Sequence, residues 1–584
     1  MSDFQTHLQT AYQARQRLQN LLKDGTFDVD GSSLDISAIV AVAYYGCIPK
    51  ITTDPGVLEK IEASVQVLKD HLDKGYHVYG VNTGFGGSAD SRTDRVVALQ
   101  SGLSQLLQAG VLVASDKDTN VDLERQGRLD SHAVPVPWVR AAMLVRDALL
   151  SAGMEPQVLG PKEGLGLVNG TSFSAALSSL VMYETHQLVV LVQAISAVAL
   201  EASWVMLRAS IPSSLLFGLM TVKWNDRYAL RCVPQWIGPQ LEDLLLAHKQ
   251  VTVELNSTTD NPLIDPETGD ILHGGNFQAV SVTSAMEKTR SCLQMFGRLL
   301  FSQSTELVDP SVDISMASYM AELAYLANPV SSHVQAAEMR NQSINSMAFV
   351  SSRYTMQAVE IVSLMCACSL YIGCQALDLR VLHLTYLDNV KPQLHLLTSD
   401  LFSSYLSDSE LANLTESLWE NIAKSWSTTT RQGIPERVQA AVKDVIPTLL
   451  DILKEKRGPG LSDLNRWETQ AAALLNKTYQ DTADAFFNQQ NTEEFLGAGA
   501  KILYRTVRRD LNVPFHLGFV EHPTANNDTL NGRSKKTIGS WISIIYEAIR
   551  DGSLMGPFME SLASKSSSAD DSLTKIRSLR MSRL

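Results

Sequence analysis

The chain has 584 residues, of which 45% are hydrophobic and 19% are charged, so it is long and apolar enough for a large buried core and about four domain-sized units. Lysine and arginine together number 49, and aspartate and glutamate number 62, which gives a net charge of −13. Because proteins that bind nucleic acid carry a basic surface, this acidic balance argues against a nucleic-acid partner.

The N-terminal sequence, residues 1–20, is polar and lacks the apolar run of a secretory signal, which favours a reducing compartment. Cys366, Cys368 and Cys374 lie in an apolar run without a nearby histidine, so we expect buried core thiols there and no zinc site. The most apolar stretch, 188–200, has 13 residues, fewer than the ~20 that span a membrane. We expect a buried core helix there and no membrane partner.

Helical periodicity dominates the chain. Val96, Leu99 and Leu103 are spaced by three and four residues, as on one face of an α-helix, whereas alternating strand patterns are scarce. We therefore predict an all-α fold with a long central helical bundle. Its long helices are predicted at 175–208, 239–256, 278–305 and 332–382.

The organisation changes after about residue 395, where shorter amphipathic pieces are broken by glycine and proline. We predict a helical segment at 1–78, a helical core with polar loops at 79–395, an appended helical domain at 396–520, a terminal helix returning to the core at 521–562, and a mobile serine-rich tail at 563–584.

Polar segments rich in glycine separate the predicted helices, and loops of this kind on a rigid frame often carry binding and catalytic residues. They are YGVNTGFGGSAD (79–90), GLGLVNGTS (164–172), NDRYALRCVPQ (225–235), NSTTDNPLID (256–265), HGGNFQ (273–278) and AEMRNQSIN (337–345). The common motifs of zinc proteases, phosphate-binding loops and serine hydrolases are missing, so we expect neither a metal nor a nucleotide cofactor.

Tyr79 opens the first of these loops and is followed by Gly80, Gly84 and Gly86. Glycine allows the backbone to approach a ligand closely or to make a tight turn. A tyrosine held in such a loop can act as a general base if its neighbours lower its pKa. The alternative is a tyrosine that packs beneath a turn, and this segment alone favours that alternative.

Tyr228 and Arg231 are three residues apart, so a helix would place them on one face. The guanidinium fork of arginine suits a carboxylate, and the tyrosine could support the same ligand. An ion pair between Arg231 and Asp226 or Glu242 is an equally good explanation of this segment.

Asn169, Asn261 and Asn341 each lie in one of the polar loops. Their amides could bind the carboxylate or the amine of an amino acid. Taken singly, asparagines in such positions more often serve as turn or cap residues.

Together these segments closely resemble the aromatic amino-acid ammonia-lyases, and in particular the fungal phenylalanine ammonia-lyases. The resemblance covers roughly residues 35–550. It is carried, in chain order, by YGVNTGFG, PKEGLGLVNGT, DRYALR followed by PQW, ELNS followed by DNPLID, HGGNFQ, ELAYLANPV and AEMRNQSINS.

The resemblance implies an all-α fold of the ammonia-lyase (fumarase/aspartase-like) type and a homotetramer whose active sites are shared between subunits. The implied reaction is the loss of ammonia from L-phenylalanine to give trans-cinnamate, in phenylalanine catabolism, phenylpropanoid metabolism or fungal secondary metabolism. A tyrosine ammonia-lyase and an aromatic aminomutase are the alternatives within the family, and Glu338 in AEMRNQ fits the lyase better.

The same resemblance implies a role for each matching residue. Tyr79 is the base that takes the β-proton, and Arg231 binds the carboxylate. Asn169 and Tyr228 line the site near the electrophile, and Leu106 and Leu107 are the pair that selects the substrate ring. The polar shell is completed by Asn225, which replaces the usual glutamine, and by Asn261, Glu338 and Asn341. Two leucines leave a phenol hydroxyl without a partner, so phenylalanine is expected over tyrosine.

The family's electrophile is a methylidene-imidazolone (MIO) ring that forms from an internal Ala-Ser-Gly. That tripeptide occurs nowhere in the 584 residues. The family places it between segments that resemble 135–146 and 149–164, which here are nearly fused, so an internal loss is expected near 146–147. A second loss is expected near 308–313.

Three explanations of these losses stay open. The chain is an incomplete splice form or an incorrectly assembled reading of a working lyase, an inactive pseudoenzyme, or a regulatory partner of an intact paralogue. The intact surrounding motifs favour the first explanation. For location we expect the cytoplasm, with a peroxisomal alternative because Ser582-Arg583-Leu584 is close to the Ser-Lys-Leu import signal.

Overall fold

A computed structural model of the chain describes eight stretches of it. They are residues 6–108, 134–146, 160–204, 228–307, 310–454, 460–524, 529–530 and 532–561.

Helices make up most of the described chain, and the predicted all-α fold is confirmed. In chain order they are α1 (His7–Asp24), α2 (Ile36–Tyr45), α3 (Pro55–Asp73), α4 (Val96–Gln108), α5 (Val136–Arg146), α6 (Glu163–Val168), α7 (Ser172–Trp204), α8 (Tyr228–Arg231), α9 (Val233–Leu255), α10 (Val280–Leu307), α11 (Pro310–Leu326), α12 (Ala348–Phe402), α13 (Asp408–Thr428), α14 (Ile434–Leu453), α15 (Leu461–Asn488), α16 (Ala498–Arg505) and α17 (Ile538–Arg550).

Short strands form three two-stranded pairs among the described residues. They are β1 (Thr26–Val29) with β2 (Ile48–Ile51) in parallel, β3 (Leu263–Asp265) with β4 (Asp270–Leu272) antiparallel, and β5 (Thr529–Leu530) with β6 (Arg533–Ser534) antiparallel. None of them is large enough to change the fold class.

The helices group into two compact units. The first contains Met1–Ser196, Thr221–Ser369 and Tyr546–Leu584, and the second contains Ala197–Met220 and Leu370–Ile545. The five segments drawn from the sequence stay a prediction.

The core of the first unit is built on apolar faces of α7 and α10. Leu191 and Val192 on α7 and Leu293 and Phe296 on α10 are all buried. Helices α7 and α12 are long and apolar enough to span a membrane, but 72% and 83% of their most apolar windows are buried inside the protein, as in core helices of soluble proteins. The predicted buried helix at 188–200 is confirmed.

The second unit has its own aromatic core. The rings of Tyr386 and Trp426 lie 4.7 Å apart, and the indole of Trp467 is fully buried and donates a 3.0 Å hydrogen bond to Thr398 Oγ1. A buried indole N–H needs such a partner, because leaving it unpaired costs free energy.

The predicted helix at 332–382 is wrong at both ends. The chain from Ser331 to Met347 is irregular, and α12 begins only at Ala348 and continues to Phe402. The irregular segment closes on itself through a bridge between Ala337 and Gln342, whose backbone groups are thereby satisfied without a helix.

The three cysteines of the apolar run are buried and free, as predicted. Burial raises the pKa of the Cys368 thiol and of the Cys374 thiol to about 12, because the thiolate would lose its hydration. Both are therefore inert core residues at neutral pH.

Candidate active site

Tyr79 lies half-buried in the turn that follows α3. The backbone N–H of Gly86 donates a hydrogen bond of 2.8 Å to Tyr79 Oη. Gly80 has a φ of +67°, a conformation that favours glycine, and its N–H donates to Thr83 Oγ1 at 3.1 Å. The loop therefore folds over its own tyrosine and fixes the position of the phenol oxygen.

Gln100 on α4 connects this loop to α6. Its side chain is fully buried, its amide nitrogen donates to Gly80 O at 3.1 Å, and its amide oxygen accepts from Leu165 N at 3.2 Å. One side chain thus pairs two backbone groups from distant parts of the sequence. Gln100 is not predicted from the sequence, because a glutamine 20 and 65 residues from its partners leaves no local pattern.

Asn169 stands at the C-terminal end of α6, where its backbone N–H donates to Leu165 O at 2.9 Å. The chain beyond it meets the loop before β3, because Thr171 N donates to Thr259 Oγ1 at 3.4 Å. Helix α6 and the loop that carries Asn169 are thereby held against the segment that carries Asn261.

Asn261 is buried, and its backbone N–H donates to Asp260 Oδ1 at 2.8 Å. The second carboxylate oxygen of Asp260 forms an ion pair with Lys162, which precedes α6. This pair is a second connection between the two asparagine-bearing loops, and it too is not predicted from the sequence.

Glu338 lies against the tyrosine loop. A Cβ atom on Gly86 would be 1.9 Å from Glu338 Oε2, and a Cβ atom on Gly87 would be 2.6 Å from Met339 Cβ. A side chain at residue 86 would displace the carboxylate of Glu338, and one at residue 87 would displace Met339. Asn341 follows in the same turn, where its N–H donates to Glu338 O at 3.0 Å.

The segment that carries Glu338 has an unusual backbone. Glu338, Met339 and Arg340 have φ values of +53°, +53° and +72°. Residues other than glycine rarely adopt this region, and such strain persists only where surrounding contacts enforce it.

Two neighbouring residues of α10 hold the ends of this segment. Glu287 accepts from Val330 N at 2.7 Å and from Ser331 N at 2.9 Å. Arg290 is fully buried and donates from Nη1 to Ser351 O at 2.7 Å. The irregular chain between α11 and α12 is therefore anchored on one helix at both of its ends.

Tyr228 and Arg231 form a second group, beside α10. The guanidinium carbon of Arg231 lies 5.4 Å from the centre of the Tyr228 ring, as their spacing on one helical face predicts. Gln303 of α10 donates to Ala229 O at 3.3 Å and holds α8 there. Tyr228 is 69% exposed, and Arg231 is exposed as well.

In the described part of the chain Arg231 makes no ion pair with Glu242, and Asp226 lies outside it. Asn225 also lies outside the described residues. Leu106 and Leu107 belong to the last turn of α4, but their side chains are not described, so their roles stay predictions.

These contacts bring four predicted residues into one connected group. Tyr79, Asn169, Asn261 and Glu338 are joined through the loops and through Gln100, as described above. The group offers a phenol, a carboxyl and two amides, which suits proton transfer and the binding of a polar substrate. Within the described residues no cluster of histidine, cysteine or carboxylate side chains could hold a metal ion.

The chain does not fit the MIO group. That ring needs an Ala-Ser-Gly tripeptide, and the sequence contains none. Helix α5 ends at Arg146, and the structure describes the chain again from Gly160, which leaves 13 residues, DALLSAGMEPQVL, between them. These residues supply no serine between an alanine and a glycine in the required order.

Sequence comparisons with known proteins all indicate the same family. The profile of the aromatic amino acid lyase family matches the chain in four consecutive pieces, at 34–151, 145–210, 205–313 and 311–395. A phenylalanine ammonia-lyase of Aspergillus hancockii is 42% identical over 93% of this chain and 96% of its own length. A phenylalanine aminomutase (L-beta-phenylalanine forming) of Talaromyces islandicus is 39% identical over 95% of each chain.

The alignment with the Aspergillus hancockii protein extends over 686 positions. Because 93% of 584 residues is about 543, about 140 of these positions face gaps in this chain. Consecutive matched pieces of the family profile overlap at 145–151, 205–210 and 311–313. The first and third of these ranges lie near 146–147 and 308–313, where losses are expected from the sequence, and the losses themselves stay a prediction.

Solved structures agree with the sequence comparison. The crystal structure of phenylalanine ammonia lyase from Rhodosporidium toruloides superimposes with a TM-score of 0.81 at 27% identity, over 95% of this chain and 98% of that one. A tyrosine aminomutase of Streptomyces globisporus shares the fold at 18% identity and a TM-score of 0.52. By sequence and by fold, the chain is a member of the aromatic amino acid lyase family.

Proposed function

We propose that the protein is of the phenylalanine ammonia-lyase type, whose reaction converts L-phenylalanine to trans-cinnamate and ammonia. The observation that carries the proposal is the contact of the Tyr79 loop with Glu338, since it brings a base and an acidic group close together. The 42% identity to a phenylalanine ammonia-lyase supports the choice of substrate.

In this proposal the chain's own residues bind the amino acid and remove a proton. Arg231 holds the substrate carboxylate by its guanidinium fork, with the ring of Tyr228 beside it. The Tyr79 oxygen takes the β-proton, the electrons of that C–H bond form the new double bond, and the amine leaves with the electrons of the C–N bond. Gly86 N keeps the phenol oxygen in place during the transfer.

We further propose that the 584-residue chain does not complete this reaction. A free amine is a poor leaving group, and neither Tyr79 nor Arg231 makes it a better one. The family uses a covalent electrophile for this step, which positioning alone cannot replace. The missing Ala-Ser-Gly and the gap of about 140 alignment positions support this proposal.

A restored chain tests the proposed substrate and reaction. The segments of the Aspergillus hancockii relative would be inserted at the three junctions of the family profile. We expect the restored protein to release cinnamate from L-phenylalanine, and to lose that activity with Tyr79→Phe. A restored, folded protein that turns over no aromatic amino acid would overturn the proposal.

An aromatic aminomutase is the second candidate function, because the Talaromyces islandicus relative is 39% identical. Both reactions begin by removing the amine, but a mutase returns it to the β-carbon. Chromatography of the products separates them: mainly cinnamate supports the lyase, and mainly β-phenylalanine supports the mutase.

We propose a homotetramer for the restored protein. Large apolar side chains of the first unit are exposed near the candidate site, among them Tyr228, Tyr325, Met339 and Ile344. Exposed apolar surface of this kind favours association with another chain. Light scattering on the restored protein tests the proposal: a tetramer supports it, and a monomer contradicts it.

The cytoplasm is the proposed location. An N-terminal fluorescent fusion that keeps Ser582-Arg583-Leu584 free should be diffuse. Punctate fluorescence that disappears when one residue is appended after Leu584 would instead support peroxisomal import.

A further inference from the structure

A cleft in the first unit lies apart from every candidate catalytic residue. It opens between α1, α2, α7 and the turn that follows α17, and its cavity volume is about 170 Å³. Sites for drug-sized molecules have volumes of roughly 300–1,000 Å³, so this smaller cavity suits a ligand with a single ring. None of the ten candidate site residues of the family lines it.

Polar groups without partners line one wall of this cleft. Gln187 is 8% exposed, and its amide nitrogen donates to Ala11 O at 2.9 Å, which fixes the orientation of the amide. Its amide oxygen is buried and accepts no hydrogen bond, and the Nε of Arg15 is buried and donates none, as far as the described residues show. Buried polar atoms are almost always paired, so unpaired ones call for an explanation.

Tyr183 lines the same cleft and is near enough to Arg15 to be affected by its charge. It is 9% exposed, and no described residue gives its hydroxyl a hydrogen bond. Burial raises the pKa of Tyr183 to about 12, although the nearby charge of Arg15 opposes the rise. Tyr183 is therefore a neutral phenol that can donate to an acceptor held by Arg15.

The carboxylate that lines the cleft beside Tyr183 already has its own partners. Glu184 accepts from Tyr44 Oη at 2.6 Å and forms an ion pair with Arg550. In the described part of the chain no carboxylate pairs with Arg15. Arg15 is therefore the cation of this cleft that is available to an anionic ligand.

The rest of the lining is apolar. Leu18 and Leu22 of α1, Val359 of α12 and Ile549 of α17 contribute aliphatic surface, and Tyr45 adds an aromatic ring near the mouth. Such surface suits a flat, apolar body that enters with its polar end towards Arg15.

We propose that this cleft binds a small aromatic hydroxy-carboxylate. The carboxylate accepts hydrogen bonds from Arg15 and Tyr183, the ligand hydroxyl donates to the unpaired amide oxygen of Gln187, and the ring packs on the aliphatic lining. The proposal is independent of the lyase reaction, because it uses none of the candidate catalytic residues.

The test titrates 3-(4-fluorophenyl)lactate into the full 584-residue protein and follows the fluorine resonance by NMR. We expect saturable binding that Arg15→Gln weakens about tenfold or more, because a charge-assisted hydrogen bond is lost. Arg17→Gln is the matched control on the same helix, where Arg17 forms an exposed ion pair with Asp35, and it should leave binding unchanged.

Two further comparisons keep the result decisive. Tyr183→Phe removes only the hydroxyl, so it should weaken binding several-fold even if Arg15→Gln fails to fold. The probe 3-(4-fluorophenyl)propanoate lacks the donor for Gln187 and should bind several-fold more weakly. The proposal is overturned if the wild-type protein does not bind the probe, or if both Arg15→Gln and Tyr183→Phe bind it as well as wild type does. It is also overturned if Arg231→Gln abolishes binding, since the probe would then be bound at the candidate catalytic site.

Discussion

Gly86 lies directly against the carboxylate of Glu338, so that a Cβ atom on residue 86 would be 1.9 Å from Glu338 Oε2. The N–H of the same glycine donates to Tyr79 Oη at 2.8 Å. One residue thus positions the candidate base through its backbone and admits the candidate acidic group through its missing side chain.

Gly86→Ala should disturb this contact. Its φ is +58°, which disfavours any side chain, and the new methyl group would collide with Glu338. We expect the free energy of unfolding to fall by about 1–3 kcal/mol, the usual effect of overpacking. Gly102→Ala is the control, because that helical position is open, and it should be neutral or stabilising by up to about 1 kcal/mol. Equal urea midpoints for the two variants would contradict the contact.

Gln100→Leu should destabilise the first unit. The substitution leaves Gly80 O and Leu165 N buried without their partner. Each unpaired buried group costs ~1–3 kcal/mol, so we expect a loss of about 2–5 kcal/mol in urea unfolding. Gln66→Leu, at an exposed glutamine that bonds to Asp70 on the same helix, should change stability by less than about 0.5 kcal/mol. A loss below about 1 kcal/mol for Gln100→Leu would argue against the bridge.

Three histidines form a hydrogen-bonded row in the first unit. His186 Nδ1 lies 3.0 Å from His7 Nε2, and His186 Nε2 lies 3.0 Å from His248 Nδ1. Burial lowers the pKa of all three, that of His7 from 6.5 to about 4. Native His7 therefore stays neutral down to about pH 4, whereas the unfolded chain binds its proton below pH 6.5.

Stability should consequently fall on acidification from pH 6.5 towards pH 4, because the unfolded state binds more protons in that window. His7 alone should contribute about 1.5 kcal/mol to the loss between pH 6.5 and 5. His7→Gln should flatten the pH profile of the unfolding free energy by about that amount, and the exposed His273→Gln should not. Parallel profiles for wild type and His7→Gln would show that the row does not titrate as described.

Substrate choice by the restored protein tests the roles of Leu106 and Leu107. Burying a phenol hydroxyl against two leucines costs ~1–3 kcal/mol, so kcat/KM should favour phenylalanine over tyrosine by about tenfold or more. Leu106→His or Leu107→His should narrow the ratio by supplying a hydrogen-bond partner. Equal turnover of both substrates by the restored protein would show that Leu106 and Leu107 do not select the substrate.

Helical periodicity was sufficient to predict the fold class and two core helices. The predictions 175–208 and 278–305 lie close to α7 at Ser172–Trp204 and α10 at Val280–Leu307. The helix predicted at 332–382 failed at its start, because a turn with three positive φ values, fixed by contacts to α10 and the tyrosine loop, replaces its first part. Such tertiary contacts override local periodicity and leave no local signature.

The sequence predicted which loops carry the candidate site, but not how their residues are arranged in space. Composition and resemblance identified Tyr79, Asn169 and Glu338. The residues that hold the loops together, such as Gln100 and Glu287, bond to partners 65 and 43 residues away. No single-sequence pattern predicts contacts at that separation, so only the three-dimensional structure reveals them.

The most direct test of the account is the ultraviolet absorbance of cinnamate when the purified 584-residue protein is incubated with L-phenylalanine. The account predicts no cinnamate from this chain, because the sequence has no Ala-Ser-Gly from which the electrophile could form. Release of cinnamate that Tyr79→Phe abolishes would contradict it, since the chain would then possess an electrophile that its sequence does not reveal.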